Sequence, residues 1–132
     1  MTWFVDASAA VAMLGMEDGW EALAERLDQD DQRIWSPVAR WESVAGLRSR
    51  LGTSVEIARA QVDEFAQLHD VQLITIGARE AEIALDAHQV YGKRASHPAR
   101  LNMGDCFAYA CAKANGARLL YKGNDFASTD LA

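Results

Sequence analysis

The chain has 132 residues, half of them apolar. That is enough for one compact core spanning residues 1–132, and too little for two. Its formal net charge of −6 argues against a protein that coats nucleic acid by neutralising phosphates, though not against a nuclease whose acids become cation ligands.

No apolar run approaches membrane-spanning length. The opening MTWFVDAS lacks the basic start and apolar run of a signal peptide. The expectation is therefore a cytosolic, cytoplasmic protein with no membrane partner. Cys106 and Cys111 lie five apart in one apolar helical stretch, where neither a direct disulfide nor a paired zinc spacing is expected. They read as small buried hydrophobes.

Residues 2–5, TWFV, predict a first strand ending at Asp6, and residues 8–14 a helix that starts at Asp6 or Ala7. A second helix fits 18–29, with Trp20, Leu23 and Leu27 at helical spacing. RIW, 33–35, reads as a strand. Ser36 then caps a helix opened by Pro37, which runs to about Arg50 and stops at Gly52. Its apolar stripe is Val38, Trp41 and Ala45. Thr53 or Ser54 caps the next helix, whose buried positions are Ala58, Val62, Phe65 and Ala66.

VQLITI, 71–76, predicts a strand, and 78–91 a helix ending at Gly92. The polar loop KRASHPARLN follows. A helix from about Met103 to Asn115 stops at Gly116, ARLLY is the last strand, and the remainder is turn and short helix. Strands alternating with helices imply a single α/β domain with a mainly parallel central sheet of four or five strands flanked by helices. In such sheets ligands sit beyond the carboxyl ends of the strands, where Asp6 and Asp125 both fall.

Taken singly, each acid has an ordinary reading. Asp6 suits an N-cap, with Ser8 either steadying its carboxylate by a hydrogen bond or simply beginning the helix, Asp105 the third position of a capping box with Asn102, Asp125 a turn in KGNDF, and Glu42 the border of a helix face. Taken together they suggest more. If the sheet is parallel, several of them converge on one edge. Clustered carboxylates repel unless a cation neutralises them, and hard oxygen ligands suit magnesium or manganese better than zinc.

FVDASA at 4–9, the glutamate of VARWES, LNMGDCFAYACAKANG at 101–116 and LLYKGNDFASTDL at 119–131 carry a resemblance over essentially the whole chain. The sequence resembles the PIN-domain family, and within it the VapC-type toxin ribonucleases of bacterial toxin–antitoxin pairs. The resemblance implies a magnesium-dependent endoribonuclease, with Mn2+ as a substitute, that leaves a 5′-phosphate and a 3′-hydroxyl. It implies that Asp6 and Asp105 bind the metal and that Glu42 is the second acid of the site. Many relatives place the fourth acid two residues after the last strand, where this chain has Gly123. Asp125 is taken for that role, with Asp130 as its rival.

The resemblance further implies a homodimer and a VapB-type antitoxin whose C-terminal segment lies across the active groove. RNA must still approach an acidic protein. Lys93, Arg94 and Arg100 in the 93–100 loop form the expected RNA-binding patch, with His97 beside them and Arg40 and Arg48 as further candidates. Two other classes compete: a catalytically weak PIN-like domain kept for binding a protein, and a metal-dependent phosphatase. The common aspartyl-phosphatase pattern has a second Asp two residues after the first, and here that residue is Ser8.

Overall fold

A computed structural model describes residues 1–132. Strand β1 (Thr2–Val5) leads into helices α1 (Ala7–Leu14) and α2 (Trp20–Asp28). Strand β2 (Gln32–Trp35) leads into α3 (Pro37–Leu51) and α4 (Val55–Leu68). Strand β3 (Val71–Leu73) is followed by α5 (Ala78–Tyr91), α6 (Met103–Ala114) and strand β4 (Arg118–Leu120).

The four strands form one sheet in the order β3-β2-β1-β4. Every neighbouring pair is parallel, with Phe4 opposite Ile34 and Leu119 and with Ile34 opposite Gln72. Parallel strands are buried on both faces and read as continuous apolar runs. Here Phe4, Val5, Trp35 and Leu120 are fully enclosed or nearly so. The chain leaves β1 in one direction along the sheet and returns beside it as β4. The crevice between the carboxyl ends of β1 and β4 is thus the topological switch point, where open α/β sheets bind ligands.

Caps set the helix starts locally. The Ser36 hydroxyl accepts the Ala39 amide at 3.1 Å, and the Ser54 hydroxyl accepts the Ile57 amide at 3.1 Å. Of the two residues proposed to cap α4, Ser54 is therefore the cap. Gly52, at φ 62°, ends α3 in the left-handed region that glycine enters without penalty. Both cysteines are free and buried, and burial pushes the Cys111 thiol up to about 11.

Four expectations change. α2 starts at Trp20, after a turn, and not at 18. β3 stops at Leu73, short of 76. It is an edge strand whose only neighbour is β2, and β2 ends at Trp35 where Ser36 caps α3. The last bond there is from the Ile74 amide to the Trp35 carbonyl, at 2.9 Å. Residues 122–132 form turns and contain no helix. Finally, α3 buries Ala39, Ser43 and Leu47, whereas Trp41 is 71% exposed. The small residues win that face because α1 comes close there: a Cβ on Gly46 would sit 3.1 Å from Val11.

Candidate active site

Asp6 is the residue immediately after β1 and the N-cap of α1. It is buried, 5% exposed. Its carboxylate accepts the Ser8 amide at 3.0 Å and the Ser8 hydroxyl at 2.5 Å, both on Oδ2. The Ser8 hydroxyl in turn accepts the Lys122 amide at 3.0 Å. The Asp6 amide donates to the Leu120 carbonyl at 3.0 Å. One serine therefore ties the carboxyl end of β1 to the first turn residue after β4.

Asp105 is the third residue of α6. Its amide donates to Asn102 Oδ1 at 2.9 Å, and its own Oδ2 accepts the Asn102 amide at 3.2 Å. α6 runs into β4 through a tight turn, so its first residues stand at the same sheet edge as Asp6. Glu42 lies in the second turn of α3, which leaves that edge from β2.

The carboxyls sense one another. Burial pushes Glu42 up to about 7, and the charges of Asp6 and Asp105 push in the same direction. Burial pushes Asp105 up to about 6; its Asn102 bond opposes this, Asp125 and Asp6 reinforce it, and Lys93 pulls back. Asp6 is raised by burial, against the two Ser8 bonds, with a further push from Asp125. Asp125 is exposed and follows Gly123, whose φ of 95° turns the chain after β4. Two residues after that glycine, Asp125 lies within range of Asp6 and Asp105.

The structure brings Asp6, Glu42, Asp105 and Asp125 into one electrostatic group at the switch point. It excludes Asp130 from that group. Asp130 accepts the Tyr109 hydroxyl at 2.6 Å, the Tyr91 hydroxyl at 3.3 Å and the Lys113 ammonium. Partial burial pushes the Asp130 carboxyl up, but the Lys113 and Tyr109 bonds outweigh it and hold it below the ordinary range. It anchors the C-terminal turn. Lys93, Arg94 and Arg100 are exposed. Their loop is closed at its base by the Gly92–Leu101 bridge and by a 2.8 Å bond from the Leu101 amide to the Tyr91 carbonyl. Lys93 is close enough to Asp105 to affect its charge. Arg40 belongs elsewhere: it is paired with Asp63 through two bonds of 3.0 and 3.1 Å. His97 accepts the Ala99 amide at 3.1 Å and packs edge-on against Tyr91, which makes it a loop residue.

No three of the histidine, cysteine, aspartate and glutamate side chains close around a common point as a finished metal cage. The long-range coupling of the four acids and the lack of a closed cage do not conflict. Coupling acts over several ångströms, and ligation needs near contact. The donor set is all carboxylate, which fits a hard cation. Magnesium keeps several of its waters and takes one or two carboxylates, so it does not demand a closed triad.

Sequence reasoning missed Gly104 beside Glu42; it read Ser8 as a donor that could steady Asp6, which the structure bears out, but not as the joint between β1 and the last turn. Ser8 gave a partial signal, two residues after Asp6. Gly104 gave none.

The fold is an open, parallel α/β sheet with an acidic group at its switch point, the place where such sheets bind ligands. The PIN domain family model matches residues 3–131, and the chain belongs to that family. A VapC ribonuclease of Rhizobium meliloti is 47% identical, with 97% of this chain and 98% of the relative covered. Ribonuclease VapC42 of Mycobacterium tuberculosis is 36% identical over 96% of this chain and 95% of its own. The crystal structure of VapC20 of Mycobacterium tuberculosis, a toxin that cleaves the sarcin-ricin loop, superposes with a TM-score of 0.75 over 98% of this chain and 96% of its own. At 18% identity, that likeness concerns the fold.

Proposed function

We propose that the chain is the toxin of a VapBC-type pair, a metal-dependent endoribonuclease that hydrolyses RNA phosphodiester bonds. The observation that carries the reading is the gathering of Asp6, Glu42 and Asp105 in a partly buried crevice at the switch point, where burial raises all three and the charge of Asp6 raises the other two. Keeping like charges in a partly buried crevice costs stability, and a cation is what offsets it. The full-length likeness to ribonucleases at up to 47% identity supports the same reading.

Asp6 and Asp105 would hold the ion, Mg2+ with Mn2+ as a substitute. When bound, it supplies charge for the phosphate and acidifies a water. The chain's own residues do the rest. Ser8 fixes the direction of the Asp6 carboxylate, and the capping box fixes Asp105. Glu42 accepts a hydrogen bond from the attacking water and aligns it. Asp125, at the open side, orients the same water or a second ion. Water adds to phosphorus and gives up a proton to solvent, the bond to the 3′-oxygen breaks, and that oxygen takes up a proton from solvent. The products are a 5′-phosphate and a 3′-hydroxyl. Lys93, Arg94 and Arg100 hold the backbone of the RNA.

The partners proposed are a VapB-type antitoxin and a second copy of the chain, in the cytoplasm. No helix is long and apolar enough to cross a membrane. The test is cleavage of RNA, but not of small phosphate esters, that stops with EDTA and returns with Mg2+. Asp6→Asn and Asp105→Asn should each abolish cleavage while leaving the fold intact. Wild-type cleavage by either variant at limiting Mg2+ would remove that residue from the site.

A further inference from the structure

Gly104 is the second residue of α6, directly before Asp105. Its backbone is helical and not left-handed, so conformation does not call for glycine there. Within a helix, glycine is instead the poorer choice. Space explains it. A Cβ on Gly104 would lie 2.0 Å from Oε2, 2.5 Å from Cδ and 2.6 Å from Oε1 of Glu42. All three of its nearest atoms belong to that one carboxylate. Glu42 in this position and any side chain at residue 104 exclude each other.

We propose that Gly104 is a positioning residue, whose missing side chain forms the seat that holds the Glu42 carboxylate against the first turn of α6, beside Asp105. The proposal rests on the reading of Glu42 as an acid of the active site. It goes beyond that reading by assigning the aim of Glu42 to a residue that carries no functional group. The atoms that a new Cβ would strike are the far end of a flexible side chain, not backbone. Glu42 can swing aside at little cost to the fold. A methyl group at 104 should therefore spare stability and remove function, the opposite of what a glycine needed only for close helix packing would show.

The test compares Gly104→Ala, Gly46→Ala and Glu42→Gln. Gly46 is the control, a helical glycine of α3 that faces Val11 and no acid. Three quantities are measured: the cleavage rate under saturating Mg2+, the melting temperature in EDTA, and the position of Glu42 in a crystal structure of Gly104→Ala. The expected result for Gly104→Ala is a loss of roughly ten-fold or more, the scale of a misplaced catalytic group. It should melt at or above wild type, with Glu42 turned away from α6. Gly46→Ala should cleave within roughly two-fold of wild type. Wild-type cleavage by Gly104→Ala overturns the proposal. So does a variant that melts well below wild type or fails to fold, because the clash then falls on the helix pair. So does lost activity with Glu42 unmoved. Full activity of Glu42→Gln would instead sink the assignment of Glu42 itself, whatever Gly104→Ala does.

Discussion

Ser8 grips Asp6 twice, through its amide at 3.0 Å and its hydroxyl at 2.5 Å. The same hydroxyl receives the Lys122 amide, so one atom ties together the segments that follow β1 and β4. Ser8→Ala should leave that amide without its partner and deprive Asp6 of a donor. Hydrogen bonds of this kind contribute about 1–3 kcal/mol when one buried partner is left behind. The Mg2+ concentration for half-maximal cleavage should rise by roughly ten-fold, as for groups that orient a metal ligand. Thermal unfolding and a magnesium titration of cleavage check this. A variant that matched wild type in both would show that the bonds are incidental.

The raised Glu42 makes a pH prediction with a definite sign. Its folded value of about 7 lies above the ordinary 4.5, so the folded protein binds this proton more tightly than the unfolded chain. The corresponding stability is fully present below the unfolded value and is lost as pH rises through the folded one. Glu42→Gln keeps the shape and never ionises. In EDTA, its melting temperature should therefore gain on wild type as pH rises from about 5 to about 8. Asp105, raised to about 6, predicts the same trend for Asp105→Asn, ending at lower pH. A gap independent of pH would mean that Glu42 is not desolvated as the geometry has it.

The starts of α3, α4 and α6 were legible in the sequence because cap chemistry is local: Ser36, Ser54 and the Asn102–Asp105 box act within three residues. The start of α2, where Gly19 offers no side-chain cap, was not. Strand length was less legible. VQLITI has the composition of a six-residue strand, yet β3 is only as long as the stretch of β2 beside it. The acids were legible only as a set, because each also does the ordinary work first read for it. Asp6 is an N-cap and Asp105 is a capping-box residue. What could not be read locally is what folding brings from afar. Tyr91 reaches Asp130 across 39 positions. Gly104 meets Glu42 from a different helix. Trp41 looked like core and is exposed, because Gly46 and Ser43 let α1 and its neighbours close over the other face of α3.

RNA binding should depend on the 93–100 loop and not on Arg40. Lys93→Ala, Arg94→Ala and Arg100→Ala should each weaken binding to a catalytically dead protein. Each should also reduce the salt slope by about one for every phosphate no longer neutralised. Arg40→Ala should leave the slope unchanged, since Arg40 is held by Asp63. Its cost is that of removing a largely exposed ion pair, under about 1 kcal/mol. Equal slopes for wild type and all three loop variants would move the RNA to another surface.

Asp125 and Asp130 lie five residues apart in the same C-terminal turns, but the structure gives them different work. Asp125 is exposed and coupled to Asp6 and Asp105. Asp130 receives Tyr91, Tyr109 and Lys113. Asn fits turns about as well as Asp, so Asp125→Asn keeps the shape of the loop and removes only charge. It should lower cleavage by roughly ten-fold or more and leave thermal stability equal or slightly higher, because repulsion within the acid group falls. Asp130→Asn should do the reverse. It weakens a charge-assisted anchor that is itself about half exposed, so the loss of stability should stay within about 1 kcal/mol, with cleavage close to wild type at temperatures below melting. Rates and melting curves of the two variants, measured side by side, separate the roles. Loss of cleavage at Asp130 with tolerance at Asp125 would place the fourth acid at the terminal Thr129–Asp130 pair. Tolerance at both would leave Asp6, Glu42 and Asp105 as a sufficient set.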